Sequence, residues 1–106
     1  MFGANLIGAN FANADLTRTN LERTLLGGSN LHLVNLKQAN LRDADLRESV
    51  LWWADLEQAF LAGAYLRGVN FVHANLRYVN LTGATIGDGT EDATWLLSLA
   101  ADIKCV

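Results

Sequence analysis

The residues of this 106-residue chain that could do chemistry are few and widely spaced. The single cysteine, Cys105, has no histidine near it in the sequence to activate a thiol, and one thiol cannot form an internal disulfide. Asp88, Thr90 and Asp92 have the spacing of the first three ligands of a calcium-binding loop. The glutamate that completes such a loop is replaced by Leu99. The glycines form no phosphate-binding motif, so local motifs indicate no catalytic residue, metal site or cofactor.

Composition excludes several other classes of protein. With 51% hydrophobic and 18% charged residues, the chain has enough apolar side chains to fold, which excludes a disordered tail. No apolar run approaches the ~18 residues that a membrane-spanning helix needs. The N-terminus lacks the basic segment of a secretory signal. We therefore expect a cytoplasmic protein of one domain that does not enter a membrane.

A five-residue repeat runs through most of the chain without insertion or deletion. Every fifth residue from Leu6 to Ile86 is apolar, with 14 Leu, 2 Phe and 1 Ile in 17 positions. The residue two positions earlier is Ala in 10 units and Ser, Thr or Val in the others, and Asn or Asp lies between the two in 12 of 17. A helix repeats at 3.6 residues and a strand at 2, so neither fits. The pattern predicts short extended segments joined by turns, because glycine, which accepts positive φ, recurs at the fifth position of the unit.

This pattern resembles the pentapeptide-repeat family, whose motif is A(D/N)LXX. The units 4–8, 14–18, 39–43 and 74–78 carry the resemblance, which extends over about residues 2–86. It implies an all-β solenoid, a right-handed quadrilateral β-helix with 20 residues per coil and about four coils. The central residue and the small residue of each unit would fill its interior. Five units depart from the motif at the Asn/Asp position and are expected to lose only local turn bonds: Leu25, Val50, Phe60, Tyr65 and Thr85.

The repeat ends at Ile86, so we divide the domain into the β-helix, residues 1–86, and a C-terminal segment, residues 87–106. Gly87 and Gly89 predict a turn. Thr90 is a suitable N-cap for a helix, followed by acidic residues where the helix dipole favours them. The apolar spacing of the following residues predicts an amphipathic capping α-helix over 90–104 that covers the last coil.

The N-terminal end has no equivalent cover in the sequence. It would be covered by a second copy of the chain, by another protein or by an upstream segment, and we favour a homodimer through the uncapped first coil. The expected contact residues are Phe2, Leu6, Phe11, Leu16 and Leu21.

Stacking at intervals of 20 residues also predicts what the outer faces carry. His32 and His73 would lie two coils apart, ~10 Å, which is too far to share a metal ion. Asp15, Asp55 and Glu57 would lie on a convex face that offers no cleft to raise their pKa. One face is predicted to carry an apolar patch that contacts a partner. The patch consists of Leu33, Val50, Trp52, Trp53 and Val72. Alternatively, the two indoles lie flat and shield the backbone.

These observations favour a non-enzymatic structural or protein-interaction module without cofactor, with an unidentified protein partner and no nucleic-acid ligand. Some members of the family that the chain resembles mimic DNA and inhibit or protect DNA gyrase. Mimicry requires dense negative charge. Residues 1–86 contain seven acidic and seven basic residues, 7 − 7 = 0, and the net charge of −3 comes from the C-terminal segment. Charge and short length thus disfavour this alternative.

Overall fold

The repeat folds into a solenoid whose coils stack at intervals of 20 residues. The computed structural model describes residues 1–86 and 91–92. Parallel bridges connect each second-position residue to the one 20 residues further on, in four series. We number the faces from these series: face 1 contains residues 5–8, 25–28, 45–48 and 65–68; face 2 contains 10–13, 30–33, 50–53 and 70–73; face 3 contains 15–18, 35–38, 55–58 and 75–78; face 4 contains 20–23, 40–43, 60–63 and 80–83.

Backbone hydrogen bonds between coils and within turns account for this shape. The Leu31 amide donates to the Val50 carbonyl in the next coil at 2.8 Å, and the Val50 amide donates to the Ser29 carbonyl at 3.0 Å. Each corner is closed by a bond such as the one from the Val34 amide to the Leu31 carbonyl at 3.1 Å. Because these bonds recur in unit after unit, the faces remain in register along the solenoid.

A side-chain cap at each corner depends on the Asn or Asp of the motif. All twelve Asn and Asp residues at the second position accept a hydrogen bond from the amide two residues later, at 3.0–3.2 Å. In four described units the second position is Leu25, Val50, Phe60 or Tyr65 instead of Asn or Asp. The backbone amides two residues later have no hydrogen-bond partner among the described residues; they belong to Gly27, Trp52, Ala62 and Arg67. As expected, these departures lose turn bonds while the coil continues.

The interior consists of the central residues and the small residues that precede them. Leu36, Leu46 and Leu56 are fully buried, and the core extends from Leu16 to Ala84. Two of the buried polar small residues donate within the coil: the Thr24 hydroxyl to the Leu21 carbonyl at 2.7 Å and the Ser49 hydroxyl to the Leu46 carbonyl at 2.6 Å. The buried hydroxyl of Ser29 has no hydrogen-bond partner among the described residues. The expectation that central and small residues fill the interior is therefore confirmed for the described units.

In units up to Gly83, the fifth residue of each unit adopts a left-handed backbone conformation. Eleven non-glycine residues have φ of 57–66° and six glycines have φ of 64–72°. None of the seventeen is β-branched, whereas the fourth position accepts Ile7, Thr17, Val72 and Thr82. Positive φ is strongly disfavoured for β-branched side chains, so the corner selects residue types even where it does not contain glycine.

The C-terminal segment begins differently from the predicted helix. Strand β1, Thr85–Ile86, pairs with strand β2, Glu91–Asp92, in antiparallel register, with Thr85 opposite Asp92. The prediction of a helix starting at Thr90 is therefore wrong at Glu91 and Asp92, and residues 93–104 of that helix lie outside the described residues. Pairing with the open edge of the last coil satisfies backbone groups that the first turn of a helix would leave unpaired.

The described part of the chain also contains no helix of the length and apolarity needed to cross a bilayer.

Neighbouring leucines offer a matched test of the inward and outward positions. Leu26 is 1% exposed, whereas Leu25 points outward and is 39% exposed. We expect Leu26→Ala to lower the free energy of unfolding by about 2–5 kcal/mol, because it opens a cavity in the interior. Leu25→Ala should cost about 1 kcal/mol or less. Denaturant unfolding measures both, and equal losses would contradict the assignment of the two positions.

The corner conformation predicts a second difference between adjacent positions. Asn13 has φ of +66° at a fifth position, and Ala12 occupies the fourth position of the same unit. Asn13→Val should destabilise the fold by about 1–2 kcal/mol more than Ala12→Val, because only the former forces a β-branched residue into the left-handed region. Thermal and urea unfolding of the two variants provide the measurement. If Ala12→Val were the more harmful change, the corner assignment would fail.

Candidate interaction surface

Face 2 differs from the other three faces in carrying no charged side chain. The fourteen Asp, Glu, Lys and Arg residues of 1–86 all lie on faces 1, 3 and 4. The sequence already contains this segregation, because the 20-residue register assigns each charged position to a face, whereas a count of charges does not show it. Depletion of charge is typical of the buried centre of protein interfaces.

The predicted patch residues lie together on this face. Leu33, Trp52, Trp53 and Val72 are 47%, 45%, 56% and 50% exposed, and Val50 is half-buried between Asn30 and Asn70 in the bridge series. Backbone hydrogen bonds connect them across three coils, from the Leu33 amide to the Trp52 carbonyl at 2.9 Å and from the Trp53 amide to the Val72 carbonyl at 3.0 Å. The patch is thus continuous, and its role in binding stays a prediction.

Two histidines hold the tryptophan rings in place. The Trp53 indole stacks on the His73 imidazole, with ring centroids 4.4 Å apart and planes 26° apart. His32 contacts Trp52 edge to face at 6.3 Å and 85°. Both indoles remain about half exposed. Their orientations are therefore already set before a partner arrives, which lowers the entropic cost of binding.

In the middle of the patch, one backbone amide has no hydrogen-bond acceptor within the described chain. On this face Asn10, Asn30 and Asn70 cap the amides of Ala12, His32 and Val72. The side chain of Val50 has no oxygen, so the backbone amide of Trp52 has no hydrogen-bond partner within the described chain. This unpaired N–H belongs to Trp52 and is adjacent in sequence to Trp53.

The five residues predicted to form the N-terminal contact differ in their exposure. Phe2 is 54% exposed, and Leu6 and Phe11 are half-buried. Leu16 and Leu21 are 8% and 1% exposed, so they offer little surface to the predicted N-terminal contact, which stays a prediction. Residues 1–4 lie beneath Leu21, as the hydrogen bond from the Gly3 amide to the Glu22 carbonyl at 3.0 Å shows.

Two carboxylates on the charged faces, Asp15 and Asp45, have surroundings that oppose acid catalysis. Hydrogen bonds from the Arg47 guanidinium, at 2.6 and 2.8 Å, lower the pKa of Asp45. The hydroxyl of Thr17 likewise lowers the pKa of Asp15. A general acid needs its pKa raised towards neutrality. Among the described residues, no group of three or more His, Cys, Asp or Glu side chains is arranged to hold a metal ion.

The corner between faces 3 and 4 forms a groove of about 430 Å³. Its lining contains no charged residue and consists of Gln38, Gln58, Ala59, Phe60, Tyr78 and Asn80. The groove was not predicted from the sequence, because the outer faces were expected to be convex and without a cleft. The side-chain amide of Gln38 donates from Nε2 to Gln58 Oε1 at 2.9 Å, and its Oε1 accepts from the Arg18 guanidinium at 2.7 Å. The two glutamine side chains therefore form a hydrogen-bonded series along this corner.

Comparison with known proteins agrees with this geometry. The family model for pentapeptide repeats matches residues 2–32, 14–52 and 53–87, in eight copies, and the chain belongs to this family. Comparison with curated proteins finds no match. The four bridge series define a four-sided solenoid, and its similarity to pentapeptide-repeat structures implies that it is a right-handed β-helix.

Two solved structures from the cyanobacterium Nostoc PCC 7120 are similar over most of the chain. HetL, a pentapeptide repeat protein involved in heterocyst differentiation regulation, is 33% identical with a TM-score of 0.78. The match covers 82% of this chain and 40% of HetL, so the chain spans less than half of HetL's length. The pentapeptide repeat protein alr5209 is 31% identical with a TM-score of 0.79, over 96% of this chain and 84% of alr5209.

Dimerisation through the first coil stays a prediction, and Phe2, Leu6 and Phe11 are the more exposed of its five expected contact residues. Replacing Phe2 and Phe11 with Ser should abolish self-association if these rings form the contact. Sedimentation equilibrium at high micromolar concentration measures it, with Trp52→Ser as a control on another surface. A monomer at that concentration before any substitution would contradict the prediction.

Proposed function

We propose that this chain is a non-enzymatic protein-interaction module and that face 2 is its binding surface. The observation that carries the proposal is the combination on one face of four exposed large apolar side chains with a complete lack of charge. Tryptophan is enriched among the residues that dominate binding energy, and charged residues are depleted around them. The other three faces share all the charged residues of 1–86, as a solvated surface does.

The β-helix suits this role because its backbone holds the patch rigidly. Leu33, Trp53 and His73 occupy equivalent corners in successive coils, each with φ of +59°. The hydrogen bonds between coils keep these corners stacked. A partner therefore meets a preformed surface, and little conformational entropy is lost on the side of the module.

The non-enzymatic role is part of this proposal, and the lowered pKa of Asp45 supports it at that carboxylate, since a general acid needs a raised pKa. HetL, which shares the repeat, is involved in the regulation of heterocyst differentiation. Regulation is a role that an interaction module fills, and we extend to this chain only that general kind of role. The cytoplasmic location expected from the sequence is part of the same proposal.

DNA mimicry directed at gyrase is the weaker candidate. A surface that replaces duplex DNA needs negative charge along its length. Here the acidic and basic residues of 1–86 balance, and the ion pairs of Arg47 with Asp45 and of Lys37 with Asp55 neutralise carboxylates locally. No observation favours this function over protein interaction.

The proposal predicts that removing the indoles abolishes partner capture without unfolding the module. Trp52→Ser together with Trp53→Gly removes both rings, and glycine suits the positive φ at position 53. The matched control is Glu57→Ser with Gln58→Gly, the same unit positions on face 3 of the same coil. Affinity capture from a lysate of the native host, quantified by mass spectrometry, compares both variants with the unchanged chain.

We expect proteins captured by the unchanged chain to be lost with the face 2 variant and retained with the face 3 variant. Circular dichroism of the two variants should match that of the unchanged chain. Equal capture by both variants would remove face 2 as the binding surface.

A further inference from the structure

We propose that face 2 binds a short, uncharged, extended segment of a partner protein, and that a backbone carbonyl of this segment accepts a hydrogen bond from the Trp52 amide. The inference rests on the proposed function and specifies the chemistry of the partner. It combines the area of the face, the open donor in its middle and its lack of charge.

The size of the face suits a segment better than a folded surface. Three extended residues make it about 10 Å wide, and four strands make it about 19 Å tall, or about 200 Å² before side-chain relief is counted. A stable interface between folded proteins, including two copies of this chain, buries about 800 Å² on each partner. An extended segment of four to six residues would be about 13–20 Å long and would match the height of the face.

The open amide specifies what such a segment must supply. In twelve other units an Asn or Asp oxygen lies 3.0–3.2 Å from the amide nitrogen at this position. In the unit of Trp52, the Val50 side chain supplies no oxygen at that place. An apolar partner that covers the indoles would also cover this amide, and a buried donor without an acceptor is unfavourable. A peptide backbone carries one carbonyl per residue and can put its oxygen where the asparagine oxygen would be.

The surroundings of Trp52 distinguish this donor from the other open amides. Gly27 and Arg67 lie on face 1 and Ala62 lies on face 4, where charged side chains surround them. Face 2 has only His32 and His73 as titratable side chains, and both contact an indole. A charge on the incoming segment would be desolvated without an opposite charge to pair with. We therefore infer an uncharged segment with aliphatic side chains against Trp52 and Trp53.

One substitution tests the hydrogen bond while both indoles remain. Val50→Asn restores the motif residue, so its side-chain oxygen should cap the Trp52 amide and exclude the carbonyl of the segment. Phe60→Asn makes the same restoration on face 4 and is the matched control. The probe is a pool of acetylated, amidated hexapeptides of Ala, Val, Leu, Ser, Thr and Gly, compared with a pool that has Asp or Lys at its two central positions. Titration is followed by the NMR signals of the backbone amides and of the indole N–H groups.

We expect the neutral pool to move the Trp52 amide proton downfield and to bind Val50→Asn about fivefold more weakly, the effect of one hydrogen bond. Phe60→Asn should bind as the unchanged chain does, and the charged pool should bind at least about fivefold more weakly than the neutral one. Both Asn variants should be at least as stable as the unchanged chain, so that unfolding cannot account for the loss.

Other results would overturn the inference. If the neutral pool shifts the indole signals but Val50→Asn binds equally well, the carbonyl contact is wrong while face 2 remains the binding surface. Equal binding of the charged pool, or no binding of the neutral pool to the unchanged chain, also overturns it. Self-association that Trp52→Ser abolishes would show that the occupant is a second copy. The proposed function fails separately, when capture of partners survives the loss of both indoles.

Discussion

Burial of one leucine or phenylalanine in every five residues is the constraint on which the rest of the structure depends. Each such side chain contributes roughly 1.5–3 kcal/mol when it is removed from water. A shift of the register by one residue would therefore move a whole column of these side chains from the interior to the surface. The register set in this way places the backbone of each coil within hydrogen-bonding distance of the next, as the 2.8 Å bond from the Leu31 amide to the Val50 carbonyl shows.

The same register separates structure from function along the chain. The first and third positions of a unit belong to the interior, and the second position caps the corner when it is Asn or Asp. The fourth and fifth positions are left to meet the surroundings. On faces 1, 3 and 4 they carry ions and amides that pair with one another, such as Arg18 with Gln38 at 2.7 Å. On face 2 they carry indoles, imidazoles and aliphatic groups. Covering a protein surface of this kind with another apolar group lowers the free energy.

Most of the fold could be predicted from the sequence because a strict period leaves few alternatives. The burial of Leu26 beside the exposed Leu25 follows from the period alone, and so does the loss of a corner cap at Val50. The strand at Glu91–Asp92 could not be predicted in this way, since the sequence there satisfies the rules for a helix start. The open edge of the last coil competes for the same backbone groups, and that competition is tertiary.

The site was only partly predictable for a similar reason. The sequence placed five apolar residues on one face, but the contacts of Trp53 with His73 and of Trp52 with His32 depend on side-chain rotamers. The burial of Leu21 depends on the chain that passes beneath it. The groove beside Phe60 and Tyr78 depends on how the side chains of two faces meet at a corner. Period and composition do not specify these details.

Amide hydrogen exchange across residues 26–66, measured by NMR, tests the stacking of five-residue units most directly. The account predicts slow exchange for the four amides of each unit that bond to backbone carbonyls, and fast exchange at Gly27, Trp52 and Ala62, which have no acceptor in the described chain. Protection that followed a period of 3.6 residues, or amides of Leu36 and Leu46 that exchanged as fast as those of an unfolded chain, would contradict it.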